Sequence, residues 1–265
     1  MNSMTEDEMR AASDLLFYHW KRQTRLDALP SSLRPADRAE GYRVQAFIKE
    51  HTAQSLFGWK IAATSVAGQK HINVDGPLAG RLLAERVIAN GGVCPMGNNL
   101  MRVAEMEFAF RMAVDLPPRG ASYSQDEVMA NVASLHPAIE IPDSRYEDFT
   151  LVGLAQLVAD NACAHRFVLG PAADARWRGI DLAAHPVRAF VNDAVAGEGG
   201  GVNVLGDPRI ALTWLANELS RHDLTLKAGE AVTTGTCVKP VAIAAGDRVV
   251  GDFGTLGRVS VVITD

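Results

Sequence analysis

Two glutamates separated by one residue, Glu105 and Glu107, stand in a run whose alternate positions are all apolar: Ala104, Met106, Phe108, Phe110 and Met112. A period of two marks a strand, and residues two apart on a strand project from one face. On a helix the same spacing would splay the two carboxylates by about 200°. Held roughly 6–7 Å apart along the backbone, two carboxylates repel unless a cation lies between them. Glu140 has a similar setting, as the polar residue between Ile139 and Ile141 in Pro137-Ala-Ile-Glu140-Ile-Pro-Asp143-Ser144-Arg145. Three carboxylates, with no cysteine and at most one histidine nearby, suit a hard divalent ion, Mg2+ or Mn2+, with positions left for water and substrate. The pattern equally fits solvated glutamates on the outer face of an edge strand, so residue types alone leave both readings open.

The elements that position these groups follow from caps and periodicity. Thr5-x-x-Glu8 is a capping box, with Asp7 and Glu8 against the positive end of the helix dipole. Leu15, Leu16, His19 and Trp20 form the inner side of that helix. The prolines of Leu29-Pro30-Ser-Ser-Leu-Arg-Pro35 break it, and a second helix is expected from Ala36 to Gln54. Residues 1–56 therefore read as a small helical part, a cap or an oligomer contact, ahead of a β-rich catalytic domain over 57–265. In that domain, short alternating runs are bounded by turns such as Asn90-Gly91-Gly92 and Pro117-Pro118-Arg119-Gly120. Three helices interrupt them. One follows the capping box Ser124-x-x-Glu127 and runs to Leu135; one covers Leu151 to Ala164; one starts at Asp207-Pro208 and carries Leu212, Leu215 and Leu219. Strands at 230–234, 248–253 and 258–263 close the chain. Without a strict βαβ rhythm, the expected class is α+β with a largely antiparallel sheet.

Composition narrows the function. The 265 residues include 48% hydrophobic and 22% charged ones, with 26 Lys+Arg against 31 Asp+Glu and a net charge of −5. No basic run is present, which argues against a nucleic-acid partner. No stretch approaches the ~18 apolar residues of a spanning helix, so no membrane partner is expected. Cys94, Cys163 and Cys237 are odd in number and far apart, unlike a disulfide framework or a zinc knuckle. With an acidic rather than basic start, they point to the cytoplasm.

Several segments, in order, resemble one family. They are Gly58-Trp59-Lys60-Ile-Ala-Ala-Thr64-Ser65, Val74-Asp75-Gly-Pro77, Glu105-x-Glu107, Pro137-Ala-Ile-Glu140-Ile-Pro-Asp143-Ser144-Arg145, Asp160-Asn161-Ala162, Trp214-Leu215-Ala-Asn217, Leu226-x-Ala-Gly229, Thr234-Gly235-Thr236 and Gly246-Asp247. The ordered set, from about Tyr42 to the C-terminus, is similar to the 2-keto-4-pentenoate (2-hydroxydienoate) hydratases. Those enzymes and the related 4-oxalocrotonate decarboxylases belong to the fumarylacetoacetate hydrolase superfamily. The resemblance implies a mixed β-roll with a small helical N-terminal part, and Mg2+ or Mn2+ held by Glu105, Glu107 and Glu140. It implies a small 2-oxo acid or 2-hydroxydienoate substrate from aromatic catabolism, chelated through its oxo and carboxylate oxygens, and a homo-oligomer. Lys60 takes the place of the family's active-site lysine, and Thr234, Gly235 and Thr236 that of the turn facing the substrate carboxylate. Arg145 is carried as substrate-binding; with Asp143 it forms either an outer layer that orients Glu140 or an ordinary ion pair.

One position departs from the pattern. The hydratases carry x-Pro-Asp after Val-Asp, the aspartate shuttling protons with the lysine; here Val74-Asp75-Gly76-Pro77 is followed by Leu78. Either Asp75 or a histidine such as His71 replaces it, or the chemistry differs. His136 is read as a base or, more simply, a loop cap. His165 is read as packing, and Cys237 is not read as a nucleophile. Hydration is the leading expectation. A decarboxylase would need a cation for a second substrate carboxylate, with Arg81 or Arg111 as candidates. Acylpyruvate hydrolysis lacks its His–Glu pair here, and a non-catalytic accessory subunit is the reading from another class.

Overall fold

A computed structural model describes residues 3–265. In chain order its helices are α1 (Glu6–Arg22), α2 (Arg38–Ala46), α3 (Val66–His71), α4 (Gln125–Ala130), α5 (Leu154–Ala159) and α6 (Pro208–Arg221). The strands are β1 (Leu56–Ala62), β2 (Leu78–Leu83), β3 (Val87–Ala89), β4 (Val93–Pro95), β5 (Val103–Met112), β6 (Val132–Ile141), β7 (Arg166–Leu169), β8 (Pro186–Val191), β9 (Ala194–Gly200), β10 (Ala231–Thr236), β11 (Val241–Ala242), β12 (Arg248–Asp252) and β13 (Arg258–Thr264). An eight-stranded sheet has the order β2-β1-β10-β5-β6-β7-β3, with β11 on β5, and a five-stranded sheet the order β4-β13-β12-β8-β9. Most pairs are antiparallel; β1–β10, β3–β7 and β4–β13 are parallel. This is the mixed α+β roll expected from the sequence. The main apolar core lies between the sheets and α6, joining Met106, Phe108 and Phe110 of β5 to Val249, Val259 and Val261.

Caps work locally as expected. Thr5 and Ser124 each close a capping box, and Asp207 caps α6 with Pro208 in its first turn. Helix ends are corrected. The second helix stops at Ala46 and continues as 3-10 turns over Phe47–His51. The third stops at Ala130, and Leu135 lies on β6, whose Leu135, Ile139 and Ile141 are all buried. Pro137 is accommodated within β6 opposite Phe108, its carbonyl accepting from Gly170 N at 2.8 Å. The helix expected to reach Ala164 ends at Ala159, and Asn161, Ala162 and Cys163 follow with φ of 56°, 50° and 59°.

The N-terminal helices share their packing with the roll. Met9, Ala12, Leu16, Leu29 and Val44 form one buried cluster with Tyr146 and Ala159. Trp20 Nε1 donates to His165 Nδ1 at 2.7 Å, and Leu29 N to Gln156 Oε1 at 2.9 Å. Arg25 pairs with Asp143 at 2.7 Å, just beyond Glu140.

Candidate metal centre

The carboxylates converge through sheet register. Glu105 of β5 lies directly opposite Glu140 of β6, and Glu107, two residues on, projects from the same face. One oxygen from each lies within 4.8 Å of the others. Glu107 and Glu140 are fully buried and Glu105 partly so, which excludes the solvated-edge reading. Lys60 joins them from β1, buried, with Nζ 3.0 Å from Glu140 Oε1 and 3.0 Å from the Ala162 carbonyl oxygen.

Glu107 is held asymmetrically. Its Oε2 accepts from Thr233 Oγ1 and from Gly235 N, the latter at 2.8 Å. Its Oε1, and Glu140 Oε2, are buried with no hydrogen-bond donor. Burial and then mutual repulsion push Glu105 up to about 7 and Glu107 well above the carboxylate range. Burial also raises Glu140, against the pull of Lys60. For Lys60, burial works against the charged form, but Glu140, Glu105 and Glu107 outweigh it and hold the ammonium above the ordinary lysine value. Three carboxylates and one ammonium leave an excess of two negative charges, matching one divalent ion. Orphaned buried oxygens of hard donors fit Mg2+-type coordination.

The other expected site residues are distributed differently. Asp75 does not join the cluster: its carboxylate is 82% exposed and pairs with Arg38 at 3.2 Å. His71 is exposed, edge-on to Phe149. Leu78 does sit on the face of Lys60, paired with Ala62 two residues along, so the position is right while the side chain is aliphatic and buried. Arg145 is used elsewhere. It pairs with buried Asp160, donates to the Asp143 and Ala164 carbonyls and lies 4.7 Å over the Trp20 ring. It therefore locks a loop and is not presented to a substrate. The Thr234 and Thr236 hydroxyls donate to the Phe108 and Val238 carbonyls. Thr233, unassigned from the sequence, is the threonine that reaches Glu107; its register against Lys60 on β1 is the signal that finds it.

The histidines and spare arginines lie outside the cluster too. His136 is a strand residue of β6, its ring engaged with Ser134 and the Gly170 carbonyl, and burial lowers its pKa. It caps the Gly170 carbonyl in the loop after β7 and is not part of the cluster. Cys237 Sγ donates to the Met106 carbonyl at 2.9 Å, and burial pushes the thiol up, away from nucleophilic character. Arg81 is buried against Trp59, on the opposite side of the sheet from Lys60. Arg111 donates to the Gly229 carbonyl at 2.7 Å, four residues beyond Glu107 along β5.

Residues 87–264 match the family described as fumarylacetoacetate (FAA) hydrolase C-terminal. The chain belongs to the fumarylacetoacetate hydrolase family. Within that family it is 34% identical to 2-keto-4-pentenoate hydratase 1 of Dechloromonas aromatica (strain RCB), over 88% of each chain. It is 32% identical to a 4-oxalocrotonate decarboxylase of Pseudomonas putida, over 84% of each. A solved family structure, 4-oxalocrotonate decarboxylase from Pseudomonas putida G7 complexed with magnesium and adipate, superposes with a TM-score of 0.89 at 26% identity. That match covers 99% of this chain and 100% of the other. Among the described residues no helix is long and apolar enough to cross a membrane.

Proposed function

We propose that this family member is a metal-dependent hydro-lyase that adds water to a 2-hydroxydienoate, giving a 4-hydroxy-2-oxoalkanoate in aromatic-compound catabolism. One observation carries the choice of hydration over decarboxylation: among the described residues, Lys60 is the basic side chain whose charge acts on all three carboxylates. A dicarboxylate substrate asks for a second cation, and neither Arg81 nor Arg111 is directed there. Glu105, Glu107 and Glu140 are the residues that would hold the ion. Bound there, a divalent ion supplies Lewis-acid chemistry, drawing negative charge toward the 2-oxygen of the substrate.

The remaining work is proton movement. The enol O–H proton is lost and C5 gains one; water's oxygen then bonds to C4 while C3 gains a proton. Lys60 is the side chain of this cluster suited to carry these protons at Nζ, oriented by Glu140 and the Ala162 carbonyl. With Leu78 at the shuttle position and Asp75 turned to solvent, Lys60 acts without the usual aspartate. The ion is Mg2+ or Mn2+, both suited to all-oxygen donors; magnesium and calcium accompany the solved relatives. A cytoplasmic location, in keeping with three free buried cysteines, and a homo-oligomer complete the proposal.

The test is ultraviolet-monitored turnover of 2-hydroxypenta-2,4-dienoate with Mg2+ or Mn2+ and an EDTA control. The expected result is metal-dependent loss of the dienol absorbance with 4-hydroxy-2-oxopentanoate as product. Loss no faster than spontaneous ketonisation, with carbon dioxide released from 4-oxalocrotonate, would replace hydration by decarboxylation.

A further inference from the structure

The threonines of β10 all have protein partners, whereas Thr64 presents a different picture. It is 5% exposed, and its turn is fixed by backbone contacts: Ala63 has a φ of 57°, the Ala63 carbonyl accepts from Gln69 Nε2 at 3.0 Å, and the Thr64 carbonyl accepts from Leu205 N at 2.9 Å. The Thr64 hydroxyl itself takes part in no hydrogen bond among the described residues. It stands over Gly235, where any Cβ would collide with it. Gly235 in turn donates its N–H to Glu107 Oε2 at 2.8 Å. The β10 backbone shifts register at this point, between Thr233 and Thr236, so a left-handed residue on one side and a bulge on the other bring Thr64 beside the carboxylate cluster.

We infer that Thr64 is a substrate-binding residue whose hydroxyl donates to the carboxylate of the 2-oxo acid, an inference that rests on the substrate class proposed above. A hydroxyl with no protein partner is free to donate, and a substrate carboxylate beside it is an acceptor that takes the bond. Gly235 has two tasks in this arrangement. It leaves room for Thr64, and its N–H fixes Glu107, so the substrate's acid group and the metal ligand are referenced to one backbone position.

The test compares Thr64→Val, which keeps the shape and removes the hydroxyl, with Thr64→Ser, which restores it, both in the full-length Mg2+-loaded protein. The readouts are KM and kcat for 2-hydroxypenta-2,4-dienoate and the Kd of oxalate by calorimetry. The expected result is a rise of about tenfold or more in KM and oxalate Kd for Thr64→Val, with kcat, Mg2+ affinity and Tm changed far less. Thr64→Ser stays within about threefold of wild type. Unchanged KM and Kd in Thr64→Val, equal losses in both variants, or a wild-type chain that binds no oxalate overturns the assignment. A wild-type chain that binds oxalate but leaves the dienoate unchanged removes the reaction class, while the oxalate comparison still decides Thr64.

Discussion

Glu107 has one oxygen clamped by Thr233 and Gly235 and the other bare. Replacing it with Gln keeps the volume and substitutes an amide nitrogen for one acceptor. Glu107→Gln is expected to lower kcat by about 100-fold or more, some 2.7 kcal/mol, and to weaken Mg2+ binding in calorimetry. An unaffected rate would remove the ligand role. Thr233→Val removes one of the two donors on the clamped oxygen, leaving the Gly235 N–H, and should cost about 10-fold in metal affinity. Protons compete for the same oxygens. The Glu105 pKa of about 7 in the fold, against 4.5 ordinarily, means protonated Glu105 favours folding. That stability is complete below about pH 4.5 and lost as pH rises through 7. The metal-free protein should therefore lose Tm over this window and Mg2+ should stabilise it more at pH 8 than at pH 5.5, with Glu105→Gln flattening the metal-free trend in scanning calorimetry. The three glutamates were legible in the sequence because alternation survives along β5 and β6. Thr233 was not, because it is one of three threonines in Thr233-Thr234-Gly235-Thr236, and only its pairing with β5, fixed by residues more than 120 positions away, turns it toward Glu107.

At the scale of elements, the turn after α5 matters most. Leu151, Leu154, Leu157 and Val158 have helical spacing, which is why the sequence suggests a helix to Ala164. Nothing local announces that Asn161 will bind a strand 80 residues earlier, its side chain pairing with both the N–H and the carbonyl of Arg81. Three left-handed residues cost roughly 1–2 kcal/mol each relative to ordinary helical ones. In return the Ala162 carbonyl faces Lys60. The turn fits only because residue 80 lacks a side chain: a Cβ there would collide with the Asn161 carbonyl and stand 3.1 Å from Lys60 Cδ. Gly80→Ala is expected to destabilise by about 1–3 kcal/mol and to reduce kcat by more than the Tm loss explains. Ala162→Gly, which relieves a φ of 50°, should keep kcat and not lower Tm. Calorimetry with turnover measurements decides both; a fully active Gly80→Ala would mean the turn does not position Lys60.

For the molecule as a whole, the sequence placed a boundary near residue 56 because composition changes there. The helical part nonetheless contributes buried side chains to the loops that follow Glu140, through Trp20 on His165 and Arg25 on Asp143. Long-range contacts of this kind leave no trace in local periodicity. A chain restricted to 57–265 is expected to lack cooperative thermal unfolding and to bind Mg2+ poorly. A well-dispersed NMR spectrum from that fragment would restore the two-domain division. The clamp on Glu107 also has a consequence for synthesis. Its donors lie 126 and 128 residues downstream, so a chain leaving the ribosome displays Glu105 and Glu107 long before Thr233 and Gly235 exist. The nascent acidic pair can meet free ions but cannot fix them in the final geometry. Correct ion loading is thus a late event, set by the slow closure of a sheet that joins distant parts of the chain, and each new molecule becomes competent only after Thr233 and Gly235 have been made.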